Sequence, residues 1–112
     1  MANTFKAKTK LNVSGSAGSP TTIYTVPSST TAVVLGLTLS NTTASTSITV
    51  TVKMENNDGD NITVLKNAPV PSGGSLEVMS GNKIVMEASD ILKVYASGAS
   101  SCDCLLSLME IT

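Results

Sequence analysis

The sequence predicts an all-β protein whose short strands pack as a sandwich or a barrel. Apolar and polar residues alternate with a period of two in most segments, and turn residues separate neighbouring segments. Thr and Val fill the stretches that an α-protein would need as helices, and glycines interrupt them. We predict eight to nine short strands, at a spacing typical of sandwiches and barrels.

The length of 112 residues suits one domain, which would bury about two thirds of the surface of the unfolded chain. We expect residues 1–20 to form an N-terminal strand or arm and residues 21–112 a β-sandwich domain, within a single domain overall. Hydrophobic residues make up 41% of the chain, which suffices for a core, whereas charged residues make up only 13%.

The most regular stretch is 32–54, where a polar connector joins two alternating runs. We predict a central hairpin, with each run buried on one side. The predicted inward faces are Val33, Leu35, Leu37 and Leu39 in the first run, and Ile48, Val50, Val52 and Met54 in the second. The second run would direct Ser47, Thr49 and Thr51 outward.

The first strand is predicted where apolar residues alternate with lysines. The alternating set is Phe5, Ala7, Thr9, Leu11 and Val13 against Lys6, Lys8, Lys10 and Asn12. One interpretation is a solvated face that protects a sheet edge, because edge lysines discourage unwanted pairing. The other is an arm laid against an acidic neighbouring subunit.

Turn residues delimit the remaining strands. Asp58-Gly59 predicts a hairpin turn, and residues 68–75 contain two prolines, so we expect them to be irregular and to cross between sheets. Ser80-Gly81-Asn82 and Ala88-Ser89-Asp90 are further predicted separators. The predicted strands are 22–26, 61–66, three short strands from Ser75, Lys83 and Ile91, and a last one from Cys102 to Ile111.

Catalytic equipment is not evident in the sequence. The chain contains no His, which removes Ser–His and Cys–His pairs and histidine metal ligands, and its eight acidic residues are scattered through turns and strand ends. We therefore expect no enzyme, no catalytic residue and no cofactor.

Two further groups of residues have a functional and a structural interpretation. Cys102 and Cys104 would lie about 6.6 Å apart on one strand face, at the far edge of disulfide geometry. A redox pair is the alternative to the favoured interpretation, small buried thiols. The polar residues from Asn56 to Asn61 offer oxygens to Ca²⁺ but lack the acidic spacing of an EF-hand, so an ordinary turn is favoured. We predict no metal site.

The charge pattern argues against nucleic acid as a partner. The net charge is −1, and all basic residues are lysines, so the chain lacks the planar guanidinium of Arg that dominates phosphate and guanine recognition. It has no run of about 18 apolar residues, and its first residues lack a signal-peptide pattern, so we expect no membrane contact and synthesis in a cytoplasm.

Several segments resemble small virion proteins of tailed bacteriophages, especially phages of marine bacteria. The segments are IYTVPSSTTAVVLGLTLSNTT, VLKNAPVPSGGSLEVMSGNKIVMEASDILKVYAS and LLSLMEI, within about 23–111. The resemblance implies a jelly-roll-like antiparallel β-sandwich that binds virion neighbours. It does not extend to the first twenty residues, where we place a candidate intersubunit arm comprising Phe5, Lys6, Lys8, Lys10 and Leu11.

By this resemblance, the leading hypothesis is a capsid decoration (cement) protein that stabilises the head by protein–protein contacts. The implied partners are the major capsid protein or other virion proteins and further copies of the chain, with a trimer favoured. The implied location is the virion, assembled in the host cytoplasm. The alternative is a neck, tail or baseplate component. A carbohydrate-binding adhesion module is disfavoured, because only three aromatic residues are present.

Overall fold

The computed structural model describes residues 2–79 and 83–112, which form nine strands in two antiparallel sheets and no helix. No helix in this part of the chain is therefore available to cross a membrane. The strands are β1 (Asn3–Lys10), β2 (Thr21–Thr25), β3 (Thr31–Asn41), β4 (Ile48–Glu55), β5 (Asn61–Val70), β6 (Ser75–Glu77), β7 (Ile84–Met86), β8 (Ile91–Ala96) and β9 (Cys102–Ile111).

The first half of the chain pairs with the second half in reverse order. β1 pairs with β9, β2 with β8, β3 with β6 and β7, and β4 with β5. These strand pairs also lie side by side, so that β3 pairs with β9 and β4 pairs with β8. Sheet I then has the order β1-β9-β3-β6, with β7 also beside β3, and sheet II has the order β2-β8-β4-β5. This connectivity is that of a jelly roll, which confirms the predicted antiparallel sandwich.

The predicted central hairpin is wrong, because β3 lies in sheet I and β4 in sheet II. The six-residue connector 42–47 crosses from one sheet to the other instead of turning back. Asn41, at the end of β3, holds this crossing. Its buried amide donates to the carbonyl oxygens of Thr46 (2.8 Å) and Val70 (2.9 Å). Its Oδ1 accepts from the backbone amide (2.9 Å) and hydroxyl (2.7 Å) of Thr43.

The predicted inward face of β3 is right only in its second half. A β-bulge interrupts the pairing with β9 between Val34 and Gly36, so Ala32 and Val34 point inward before it, and Leu37 and Leu39 point inward after it. Val33 and Leu35, predicted to be inside, lie on the outer side, because the extra residue shifts the alternation by one.

The carboxylate of Glu77 stabilises this bulge. Its Oε2 accepts hydrogen bonds from the backbone amides of Leu37 (2.8 Å) and Met79 (3.1 Å). A Cβ at Gly36 would lie 3.3 Å from Oε1 of Glu77, so the small residue leaves room for the carboxylate. A glycine inside a strand is a known signal for a bulge.

The inner faces of β4 and β9 supply much of the core, as predicted. Ile48, Val50 and Val52 are buried and Met54 is half-buried. On β9, Cys102, Cys104, Leu106 and Leu108 are buried in alternation. Thr51 was predicted to point to solvent but is buried, because β4 and β5 change register beside it. Its hydroxyl oxygen accepts from the backbone amide of Asn67 at 3.1 Å.

The prediction of an irregular segment from 68 to 75 is wrong in its first part. β5 continues to Val70 and includes Pro69, which pairs with Thr49. β5 is the edge strand of sheet II, and Thr49 directs its backbone N–H and C=O towards Ser97 rather than Pro69, so the missing N–H of Pro69 costs no ladder bond. The predicted crossing between sheets does occur, between Val70 and Ser75. The predicted separator Ser80-Gly81-Asn82 lies outside the described residues.

Candidate interaction surface

Strand β1 forms one edge of sheet I. It pairs with β9 without interruption from Asn3↔Ile111 to Lys10↔Cys104, and no described strand pairs with its other side. All eight residues of β1 are exposed. The predicted lysine-bearing edge strand is therefore confirmed, although it ends at Lys10. Asn12 adopts a left-handed φ of 53° beyond it, and Val13 enters the core separately.

Half of the backbone groups of β1 face solvent. Ala2 and Thr112 exchange both of their backbone hydrogen bonds (3.1 and 2.9 Å). Hydrogen-bonded pairs alternate with non-bonded pairs along an antiparallel ladder. Residues 4, 6, 8 and 10 therefore bond to β9, whereas the N–H and C=O groups of Asn3, Phe5, Ala7 and Thr9 point to the free edge. This is an unoccupied template for another strand.

The even-numbered residues of β1 project on the inner side of sheet I, towards β2. There the ammonium of Lys6 lies 2.9 Å from Oε1 of Glu110, a β9 residue that is only 6% exposed. The hydroxyl of Tyr24, on β2, donates to Oε2 of the same carboxylate at 2.5 Å. Glu110 therefore connects the edge strands of the two sheets, and the buried carboxylate has a partner on each oxygen.

These contacts shift the ionisation of both acidic groups. The hydrogen bond from Tyr24, followed by the one from Lys6, lowers the pKa of Glu110 below its ordinary value of 4.5. Burial, followed by the hydrogen bond to Glu110, raises the pKa of Tyr24. At neutral pH the carboxylate is charged and the phenol is protonated, as the hydrogen bond between them requires.

A cleft of about 360 Å³ opens between β1 and β2. Lys8 and Lys10 line it together with Lys6, yet neither has an ion pair with any described residue. The acidic residue that lines the cleft, Glu110, already accepts bonds from Lys6 and Tyr24. The cleft therefore carries an excess of positive charge beside a free strand edge.

The outer side of sheet I carries an apolar row that crosses four strands. Phe5 on β1 lies opposite Met109 on β9, Met109 opposite Val33 on β3, and Val33 opposite Val85 on β7. Phe5 is 74% exposed and Val85 is 61% exposed. We call these four residues the outer apolar row. Adjacent apolar side chains that face water in this way are typical of protein contact surfaces.

The residues predicted as an intersubunit arm therefore divide between two faces. Lys6, Lys8 and Lys10 line the cleft, whereas Phe5 lies on the outer side, and Leu11, which follows the strand, is exposed beside an outer concavity. Sequence reasoning missed Glu110. The alternation from Cys102 to Leu108 already placed it on the inner face, where a carboxylate requires a partner.

The predicted turn at Asp58-Gly59 is confirmed and has a structural role. β4 and β5 pair up to Glu55↔Asn61, and Gly59 adopts a φ of +88° between them. Oδ1 of Asn56 accepts from the backbone amides of Asp58 and Asp60, both at 3.0 Å. Residues 2–79 and 83–112 contain no group of three or more His, Cys, Asp or Glu side chains placed so that they could bind a metal ion.

Both cysteines are free and buried in the core, as the favoured interpretation predicted. Burial raises the pKa of Cys102 to about 11 and that of Cys104 to about 12. Both thiols are therefore protonated at neutral pH and lack the thiolate that acts as a nucleophile.

Replacing Glu110 with Gln should reduce the acid sensitivity of the fold. A carboxylate whose pKa is lowered by folding contributes stability that is fully present above pH 4.5 and is lost as the pH falls through the folded value. We expect Glu110→Gln to lower the free energy of unfolding at pH 7 and to flatten its decline between pH 6 and pH 3, measured by urea denaturation. Tyr24→Phe should flatten it in part. If the free energy of unfolding of Glu110→Gln declined with falling pH as steeply as that of the unchanged protein, the contacts with Tyr24 and Lys6 would not stabilise the Glu110 carboxylate.

No family model matches the sequence, and no curated protein matches it. Among solved structures, the chain is similar to a protein of the disulfide-linked pili that form Bacillus endospore appendages. That match has a TM-score of 0.56 and 13% identity, and it covers 99% of this chain and 87% of the other. It shows a shared fold.

The chain is also similar to part of a protein in two structures of infectious bursal disease virus. The Gt strain match has a TM-score of 0.48 and 12% identity over 96% of this chain, and the Gx strain match has a TM-score of 0.49 and 11% identity over 98%. This chain spans 32% of each viral chain. TM-scores below 0.5 establish no relationship.

Proposed function

We propose that the protein is a structural component of a bacteriophage virion, a capsid decoration (cement) protein that stabilises the head by binding the major capsid protein or other virion proteins. The observation that carries the proposal is the outer apolar row, which leaves Phe5 and Val85 largely in water. Such a row is stabilised when a neighbouring protein covers it. The resemblance of residues 23–111 to small phage virion proteins supports a phage particle as the place of that contact.

The composition supports a contact role. Charged residues make up only 13% of the chain, so few charges lose hydration when copies or partners pack together. The same fold occurs in a protein of disulfide-linked pili. In this chain both cysteines are buried, so the contacts between copies would be non-covalent. We propose a homotrimer without catalytic activity or cofactor, which binds neither nucleic acid nor membrane.

The test is binding of the purified protein to expanded phage heads that lack it. We expect a symmetric oligomer by light scattering and co-sedimentation with the heads. Phe5→Asp combined with Val85→Asp should abolish co-sedimentation. The matched control is Ile62→Asp, which changes a similarly exposed apolar residue on sheet II and should leave binding intact. A strictly monomeric protein without affinity for heads would overturn the proposal.

Imaging of labelled protein on the intact particle locates it. Copy numbers in the hundreds indicate the capsid lattice, whereas about six or twelve copies would move the protein to the neck, tail or baseplate.

A further inference from the structure

We propose that the free edge of β1 binds an extended acidic segment of a partner protein by β-strand addition. The inference rests on the proposed function, because it names the chemistry of the partner. Strand addition requires an edge with free backbone groups and no obstacle. β1 offers outward N–H and C=O groups at Asn3, Phe5, Ala7 and Thr9, and its pairing with β9 contains no bulge and no proline.

The lysines determine which segment fits. A strand added beside β1 would place alternate side chains about 4.5–5.5 Å from those of Lys6, Lys8 and Lys10, on the side of the cleft. Lys8 and Lys10 have no acidic partner among the described residues. Carboxylates at every second position of the added strand would supply those partners. The intervening side chains of the added strand would lie on the outer side of sheet I, beside Phe5, where apolar residues fit.

A second copy of this chain does not meet these requirements. Pairing β1 with another β1 would bring lysines against lysines, which is unfavourable. The edge strands of sheet II offer no carboxylate: β2 has no charged residue, and β5 carries only Lys66. At the opposite edge of sheet I, β7 is uncharged, and the Glu77 carboxylate of β6 already accepts from two backbone amides. The acidic strand therefore belongs to a different protein.

The experiment uses a capped, fluorescently labelled nonapeptide that alternates Glu with Val and Thr, titrated with the full-length protein. A peptide of the same composition, with its glutamates grouped at one end, is the sequence control. We expect the alternating peptide to bind and to shift the amide resonances of β1. The grouped peptide should bind at least about tenfold more weakly.

Two variants and a matched control separate strand addition from simple charge attraction. Ala7→Pro removes an amide that faces the free edge and leaves the bonds to β9 in place, since edge strands tolerate proline there. We expect it to weaken binding at least about tenfold without lowering the melting temperature appreciably. Lys8→Glu should weaken binding as strongly, whereas Lys66→Glu, the same charge change on the exposed edge of sheet II, should not.

Strand addition at β1 and binding to phage heads fail on different results. Absence of peptide binding, or equal binding by the Ala7→Pro protein, would overturn strand addition. Equal binding of a single-stranded oligonucleotide would show that only charge is recognised and would overturn it as well. If the Ala7→Pro protein still sediments fully with heads, the head contact does not use the β1 edge and this inference fails while the proposed function stands. Peptide binding without head binding would support this inference and overturn the proposed function.

Discussion

Replacing Leu37 with Asp is expected to unfold the domain at room temperature. Leu37 is 1% exposed, in the second half of β3 between the bulge and the crossing to sheet II. Loss of a buried leucine alone costs about 2–5 kcal/mol, and an unpaired carboxylate in the core adds several more. The sum is comparable with the total stability of a small domain, about 5–15 kcal/mol. Thermal melting followed by circular dichroism measures the effect.

The matched control is Leu35→Asp. Leu35 is two residues earlier in the same strand but 36% exposed, because the bulge directs it outward. We expect its free energy of unfolding to change by no more than about 1 kcal/mol. If Leu35→Asp unfolds the protein and Leu37→Asp does not, the alternation in β3 is shifted by one residue from the one described.

Replacing Asn41 with Ala should lower the free energy of unfolding by about 3 kcal/mol. The substitution removes two donors and an acceptor at a site that is 3% exposed, and it leaves the carbonyl groups of Thr46 and Val70 without this partner. Urea denaturation measures the loss. Asn61→Ala is the control, since Asn61 is an exposed residue at the start of β5 and should change stability by about 0.5 kcal/mol at most. Equal effects in both variants would show that Asn41 does not hold the connector.

Local patterns in the sequence predicted most strands but not their partners. β9 was predicted from Cys102 to Ile111 as observed, and β2 was placed one residue late. The hairpin error between β3 and β4 arose because a six-residue polar connector suits both a hairpin and a crossing. The bonds of Asn41 that decide between them reach Val70, which is distant in sequence. The bulge had a local signal in Gly36, but the apolar residues on both sides of it suggested one continuous face.

The candidate surface was predictable in composition but not in orientation. The alternation of lysines with apolar residues identified an edge strand, yet alternation alone does not tell which side faces the other sheet. In the structure the lysines face inward over the cleft, where Lys6 pairs with the carboxylate of Glu110, a residue distant from it in the sequence. The outer apolar row joins residues of four strands, so it exists only once their register is set.

The position of β9 between β1 and β3 has a consequence for biosynthesis. Until residues 102–111 have left the ribosome, β1 has no neighbour in sheet I and β3 has only β6 and β7, on its other side. In sheet II, β2 likewise has no neighbour until β8 has been made. The contact order is therefore high, and chains of this kind commonly reach the native state in milliseconds to seconds. During that interval the nascent polypeptide displays unpaired strands to its surroundings, so its yield in a cell depends on chaperone supply and synthesis rate as well as on final stability.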